Sequence, residues 1–375
     1  MNFNIRQTKV IYAEEPKILC LACAACGKTR VLTERIRVLI EEKGNKPEDI
    51  VAITFTNMAA EEMRRRIGDV AQSSFIGTIH SYANKICILN GVDTDDDLLN
   101  HNFDNILLKA SKIPSSKYPK IKHLLIDECQ DLSSLEYKFL TKIPTENIFF
   151  VGDNRQAIYG FRGCSDEYLV SMYEDINFTK YYLTENYRNA PNIVAFAEGL
   201  ISTSIKLSPS SSAVKTKNGI VEGRPGDLFP FRDALEDLKD SQKWGSWFIL
   251  TRTNEDLAAV QDLLDDEEIP NVTFKKGDLD EEELQLLMKD NRVKVLTIHS
   301  AKGLENKNVI VTGALLYSEE ERKIAYVAAT RAENALYWCS RVSKIRRKNG
   351  HPVPRSAEAG KLFDKSAIGM IDFES

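Results

Sequence analysis

Apolar residues follow two rhythms along this chain. Residues 17–24 form a near-continuous apolar run of strand length, whereas Val31, Leu32, Ile36, Leu39 and Ile40 recur at helical spacing through 29–42 before Gly44. The alternation continues with a strand over 50–55, a helix over 59–67, a strand over 124–126, a helix over 134–141 and a strand over 149–151. Runs this apolar fit strands covered on both faces, so the pattern predicts α/β architecture with a parallel sheet. It restarts after residue 178, with strands at 181–183, 247–250, 293–297 and 309–312, which predicts a second α/β domain. The domains are drawn as 1–178 and 179–343, followed by a polar tail, 344–375, that opens on Lys344, Arg346, Arg347 and Lys348. Segments 208–212 and 215–226 read as surface loop.

Composition narrows the class. With 43% hydrophobic and 28% charged residues, the 375-residue chain is globular rather than disordered or fibrous. A net charge of −5, from 50 Lys+Arg against 55 Asp+Glu, argues against a uniformly basic coat but leaves room for a local basic groove. No apolar run approaches the roughly 20 residues of a membrane span. Residues 1–7 carry no apolar signal core, so a soluble, cytoplasmic protein with reduced cysteines is expected.

The sharpest chemical signal lies where the first strand meets the first helix. Ala22, Cys23, Ala24, Ala25, Cys26, Gly27, Lys28 and Thr29 approximate the pattern G-x-x-x-x-G-K-[ST], with Ala22 in place of the first glycine. Such a turn aims backbone N–H groups and a helix N-terminus at a phosphate, the lysine adds a movable charge, and Thr29 offers a hydroxyl to Mg²⁺. A plain strand-to-helix turn is the alternative. The second signal, LLIDECQD at 124–131, ends an apolar strand in two carboxylates. In a phosphate-loop ATPase Asp127 would hold Mg²⁺ through water, and Glu128 would orient and deprotonate the attacking water.

The two signals belong to a longer ordered set: FNIRQ (3–7), ACAACGKTR (22–30), AITFTNMAAEEM (52–63), GTIHS (77–81), DECQD (127–131), VGDNRQAIYGFRG (151–163), ENYR (185–188), TIHSAKGLE (297–305) and YVAATRA (326–332). In this order they resemble the UvrD/Rep/PcrA type of superfamily 1 helicases. The resemblance implies two tandem RecA-like domains with parallel sheets, ATP and Mg²⁺ as cofactors, and single-stranded DNA as partner. It makes Gln7 a reader of the adenine edge, Arg30 and Tyr187 a sandwich for its ring, and Glu305 a ribose contact. Gln156 would sense the γ-phosphate or the attacking water, with Arg188 and Arg331 as arginine fingers from the second domain. Phe55, Thr56, Asn57, His80, Tyr159, Phe161, Arg162, Arg252 and His299 match positions lining the family's single-strand groove, where aromatic rings stack bases without regard to sequence. His80 and His299 also read as structural histidines.

Several features depart from the family pattern. Cys23, Ala25 and Cys26 stand where glycines and a hydroxyl residue are common, and a Cβ at Ala25 costs energy if that position needs positive φ. Cys20, Cys23 and Cys26 have the spacing C-x-x-C-x-x-C, which reads mainly as buried filler, with a metal site or a redox-sensitive pair as alternatives. Asp93, Asp95, Asp96 and Asp97 read as a solvated acidic loop. The short stretches 82–126, 270–292 and 312–321 have no room for the large accessory insertions or the strand-separating hairpin of bigger relatives. The resemblance therefore implies a compact ATP-dependent 3′-to-5′ single-strand DNA translocase or helicase. The alternative is an ATP-gated DNA-end sensor or regulatory ATPase subunit acting with a partner nuclease, since compact helicases similar to this one accompany nucleases in some anti-phage defence systems of the Gabija type.

Overall fold

The computed structural model describes residues 3–203, 206–275 and 279–342, together with the backbone of 347–348 and 351–352. It divides into two units, Met1–Glu185 with Lys206–Ser210, and Asn186–Ile205 with Ser211–Ser375.

The first unit is built on a six-stranded parallel sheet of β1 (Lys17–Ala22), β2 (Ile50–Thr54), β3 (Phe75–Thr78), β4 (Ile121–Ile126), β5 (Thr145–Gly152) and β6 (Thr179–Leu183), in the order β3-β2-β4-β5-β1-β6. The continuous apolar runs are explained by cover on both faces. Along β1, Leu19 and Leu21 enter a core with α4 (Ile79–Leu89), α6 (Phe103–Lys112), α7 (Ser134–Leu140) and α8 (Glu167–Glu174). Ile18, Cys20 and Ala22 enter the other core, with α1 (Ile5–Ile11), α2 (Lys28–Glu41) and α3 (Asn57–Ile67). This is the period-2 alternation of a strand, with both sets of positions apolar.

Two expectations are corrected here. Strand 181–183 belongs to the first sheet, not the second: β6 runs parallel to β1 with Ile18 opposite Thr179 and Ala22 opposite Leu183. The boundary drawn at 178/179 thus moves to 185/186, and residues 206–210 return to the first unit. A periodic pattern reports that a strand exists but not which sheet edge it joins. Nor is the acidic run only a loop. Asp95–Leu99 forms a short helix, α5, in which the buried Asp97 carboxylate pairs with Lys109 Nζ at 2.6 Å and accepts from Asn105 Nδ2 at 2.7 Å.

Short strands β7 (Glu185–Asn186) and β8 (Ser212–Ala213) accompany the crossings of the chain between units. The second unit has its own parallel sheet, from β9 (Ile220–Glu222), β10 (Trp247–Thr251), β11 (Asn271–Val272), β12 (Val293–Thr297), β13 (Asn306–Thr312) and β14 (Ala332–Cys339), in the order β11-β12-β10-β13-β14-β9. One face packs on α10 (Phe231–Ser241) and α11 (Asn254–Asp266); α12 (Glu281–Lys289) follows, and α9 (Pro191–Leu200) packs against α13 (Glu319–Ala329). The stretches read as loop therefore contain β8 and β9, and Ser208 is buried, its hydroxyl accepting from Asn154 N at 3.2 Å. The expected tail, with its cluster from Lys344 to Lys348, lies outside the described residues apart from the backbone of two short paired strands. Among the described residues, no helix is long and apolar enough to cross a membrane.

Candidate active site

In a parallel sheet every strand ends at the same edge, and that edge collects the loops after β1, β4 and β5. The first of these loops, 22–29, turns through two left-handed positions, Ala25 at φ +56° and Gly27 at φ +82°. Gly27 caps α2 without a side chain, and a Cβ there would meet Gln7 Nε2 at 3.4 Å. Ala22, Cys23, Ala24 and Cys26 are buried, and Cys23 N donates to Leu183 O at 2.9 Å, so that amide already serves the fold.

Four of the candidate side chains meet beside this loop. Lys28 Nζ lies 3.0 Å from Glu128 Oε2, and Thr29 Oγ1 donates to Asp127 Oδ2 at 3.0 Å. Burial works against the Lys28 ammonium, but Glu128, Asp153 and Asp127 outweigh it and hold the pKa above its ordinary value. Burial and the neighbouring Glu128 push Asp127 up to about 6. Glu128 sits at φ +51°, a strained conformation for a non-glycine residue, and its N–H donates to Asp127 Oδ1 at 2.9 Å. The Thr29 hydroxyl and the Asp127 carboxylate fit a magnesium ion. Both are hard oxygen donors, and a cation would favour the ionised form that burial opposes.

Sequence reasoning missed the residue that ties these loops together. Gln130 is fully buried; its amide nitrogen donates to Glu128 Oε2 at 2.5 Å and Asp131 Oδ2 at 3.2 Å, and its oxygen accepts from Asp153 N at 3.0 Å. Asp153 in turn accepts from Gln156 Nε2 at 2.9 Å and pairs with the buried Arg155 at 2.9 Å. An amide inside DECQD, able to give and accept at once, was the available signal. Gly152 makes room for it, since a Cβ there would come within 2.5 Å of Gln130 Oε1.

Gln7 is buried in a capping box with Asn4, and its Nε2 donates to Cys26 O at 3.0 Å, so it braces the phosphate loop from behind. The Arg30 guanidinium lies 4.2 Å from the Phe3 ring. Within the second unit, Arg188 pairs with Glu305 and its Nη1 donates to Thr330 O at 3.2 Å. Arg331 is buried there, donating to Val327 O at 2.9 Å, Leu304 O at 3.1 Å and Thr330 Oγ1 at 3.1 Å. Tyr187 is 40% exposed on the same unit.

The groove residues separate into distinct groups. On the first unit Phe55 and Tyr159 stack at 5.3 Å, Phe161 meets Tyr159 edge-on at 6.1 Å, and the Arg162 guanidinium lies 5.7 Å from the Tyr159 ring. Phe161 is 70% exposed. Thr56 caps α3, accepting from Ala59 N at 3.2 Å, with Asn57 exposed beside it. His80 packs on Phe103 at 5.7 Å. On the second unit His299 is half-buried, and Arg252 is clamped by Glu321, with Nε to Oε2 at 2.9 Å and Nη2 to Oε1 at 2.6 Å. The guanidinium read as a groove contact is therefore engaged in an ion pair at the start of α13. Among the described residues, no group of three or more His, Cys, Asp or Glu is arranged to hold a metal ion, and Cys20, Cys23 and Cys26 are buried free thiols. Burial raises the Cys20 pKa, which works against thiolate chemistry.

A family model described as an AAA domain matches residues 7–162, and one described as a UvrD-like helicase C-terminal domain matches 274–343. These fall on the two units in the order their motifs demand. The chain is similar to the UvrD/PcrA-type superfamily 1 helicases. Among UvrD-like relatives, a "Probable DNA helicase" of Mycoplasma pneumoniae is 24% identical over 464 residues, covering 90% of this chain and 83% of the relative. An "ATP-dependent DNA helicase PcrA" of Staphylococcus epidermidis is 24% identical over 366 residues, covering 72% of this chain and 50% of the relative. The Staphylococcus aureus counterpart is 23% identical, covering 68% and 48%. The chain thus spans about half the length of the PcrA relatives it matches. UvrD-like helicase domains are ATP hydrolases, and the first unit carries the matching phosphate loop and carboxylate pair.

Proposed function

We propose that the chain is an ATP-dependent motor on single-stranded DNA, moving 3′ to 5′. The observation that carries this reading is the paired geometry of Lys28 with Glu128 and Thr29 with Asp127 at the mouth of a loop shaped for phosphate. Thr29 and Asp127 would hold Mg²⁺, which neutralises phosphate charge when bound. On nucleotide entry Lys28 exchanges Glu128 for phosphate oxygens, and the released carboxylate is free to take a proton from water. Gln156, held by Asp153, would orient that water or sense the γ-phosphate. Arg188 and Arg331 would leave their ground-state partners to stabilise the transition state, a role worth roughly 10³ to 10⁵ in rate in other phosphoryl-transfer systems. Gln7, Arg30, Tyr187 and Glu305 would hold base and ribose, and the half-buried ring of Tyr159 with the exposed ring of Phe161 supports a sequence-tolerant track.

The test is single-strand-stimulated ATPase coupled to displacement of a block from either end of an oligonucleotide. Displacement from the 5′ end only is expected. Lys28→Ala and Glu128→Gln should each lower turnover by at least about a hundredfold, with Glu128→Gln still binding ATP. No DNA-stimulated turnover in the wild type would remove the motor reading. Turnover without displacement would favour the ATP-gated sensor acting with a nuclease.

A further inference from the structure

We propose that the single-strand track continues past Phe161 and Arg162 onto Phe103 and His101, so that the segment joining β3 to β4 stacks one or two further nucleobases of single-stranded DNA. The inference rests on the DNA-motor reading above and extends it to residues that no motif covers.

Two of the ring clusters on the first unit bear on the track. One is Phe55, Tyr159 and Phe161, described above. In the other, Phe103 sits 5.7 Å from His80 and 6.0 Å from His101, tilted to both. Arg162 borders the first cluster and acts electrostatically on the second. Its guanidinium is 5.7 Å from the Tyr159 ring, and its charge reaches His80, where burial comes first and Arg162 second in lowering the imidazole pKa while Glu136 and Asp104 oppose them.

The placement of Phe103 is not explained by folding. Helix α6 buries Ile106, Leu107 and Ala110, which serve the core, yet its first residue holds a phenyl ring 42% exposed. His101 precedes it at φ +53°, the left-handed position of the cap that ends α5, where its N–H donates to Leu98 O at 3.2 Å and Asn102 N–H donates to Asp97 O at 2.8 Å. That cap sets the exposed imidazole against the Phe103 ring. Charge indicates which part of a strand would face this row. The Asp104 carboxylate, 3.9 Å from His80 Nε2, would repel a phosphate, so the row offers ring faces to bases rather than cations to a backbone. A single strand lying on Tyr159 and Phe161 presents such bases in series.

The experiment measures binding of the full chain to fluorescent oligo-dT of graded length, without nucleotide and at fixed salt. Phe103→Ala should bind long oligonucleotides about five- to tenfold more weakly, in the range that stacking on an exposed ring supplies. The length at which affinity stops rising should shorten by one or two nucleotides. Phe103→Trp should restore both, and an abasic oligonucleotide should erase the difference between Phe103→Ala and wild type. Wild-type affinity of Phe103→Ala at every length, with Phe161→Ala impaired, overturns the extension and leaves the motor reading standing. A loss equal at all lengths, including the shortest, also overturns it, since that reports damage to the fold. Failure of the wild type to bind any length overturns both.

Discussion

Ala25 holds a left-handed conformation that costs an alanine roughly 1–2 kcal/mol, part of which glycine would return as unfolded-state entropy. Ala25→Gly should therefore raise stability by about 0.5–1 kcal/mol, seen as a higher denaturant midpoint at unchanged slope. A lower midpoint would mean that the methyl packs usefully at the loop. His123, on β4, behaves differently. Burial, Arg35 and Lys122 lower its pKa to about 4, below the unfolded value near 6.5. The native state then binds fewer protons than the unfolded state between those values, so this contribution is complete above pH ~6.5 and is lost as pH falls toward 4. The imidazole is half-buried, so about 1–2 kcal/mol is expected across that window. His123→Gln should flatten the acid side of the stability profile, and an unchanged profile would assign acid sensitivity elsewhere.

Among elements, the end of β4 and the end of β5 act as one through Gln130. Its removal leaves the Asp153 N–H buried without its partner, at a cost of about 1–3 kcal/mol. Gln130→Ala should lower the melting temperature accordingly. It should also depress kcat more than KM, because Glu128 and the segment 153–156 lose their common support while the phosphate loop does not. An effect on KM alone would separate Gln130 from the chemistry. The Arg252–Glu321 pair does similar work in the second unit, joining the end of β10 to the first turn of α13.

For the whole molecule, the motor proposed above would have, among the described residues, the parts to move along a strand and few to split a duplex. Opening each base-pair step costs about 0.6–2.2 kcal/mol of stacking, so a motor without a wedge waits for fraying. Residues 314–318 only lead into α13, and Glu321, just beyond, is taken by Arg252. The isolated chain is expected to translocate yet unwind long duplexes poorly, short ones better, in the presence of a single-strand trap. Processive unwinding of a long duplex by a demonstrated monomer would contradict this.

The chemistry that depends on neighbours in sequence was legible without a structure. The turn before α2, the carboxylate pair ending β4, the strand and helix rhythms and the strain at Ala25 all follow from residue type and short-range spacing. What only the tertiary structure decided depends on partners far along the chain. These are the pairing of β6 with β1, the buried amide of Gln130 between two loops, the ion pairs that occupy Arg188 and Arg252, and the packing of His80 and His101 on Phe103. Strand periodicity is the same on either edge of a sheet, and a side chain's hydrogen-bonding capacity is the same before and after it finds a partner. The sequence therefore specified which groups could act, and long-range packing selected what each one touches.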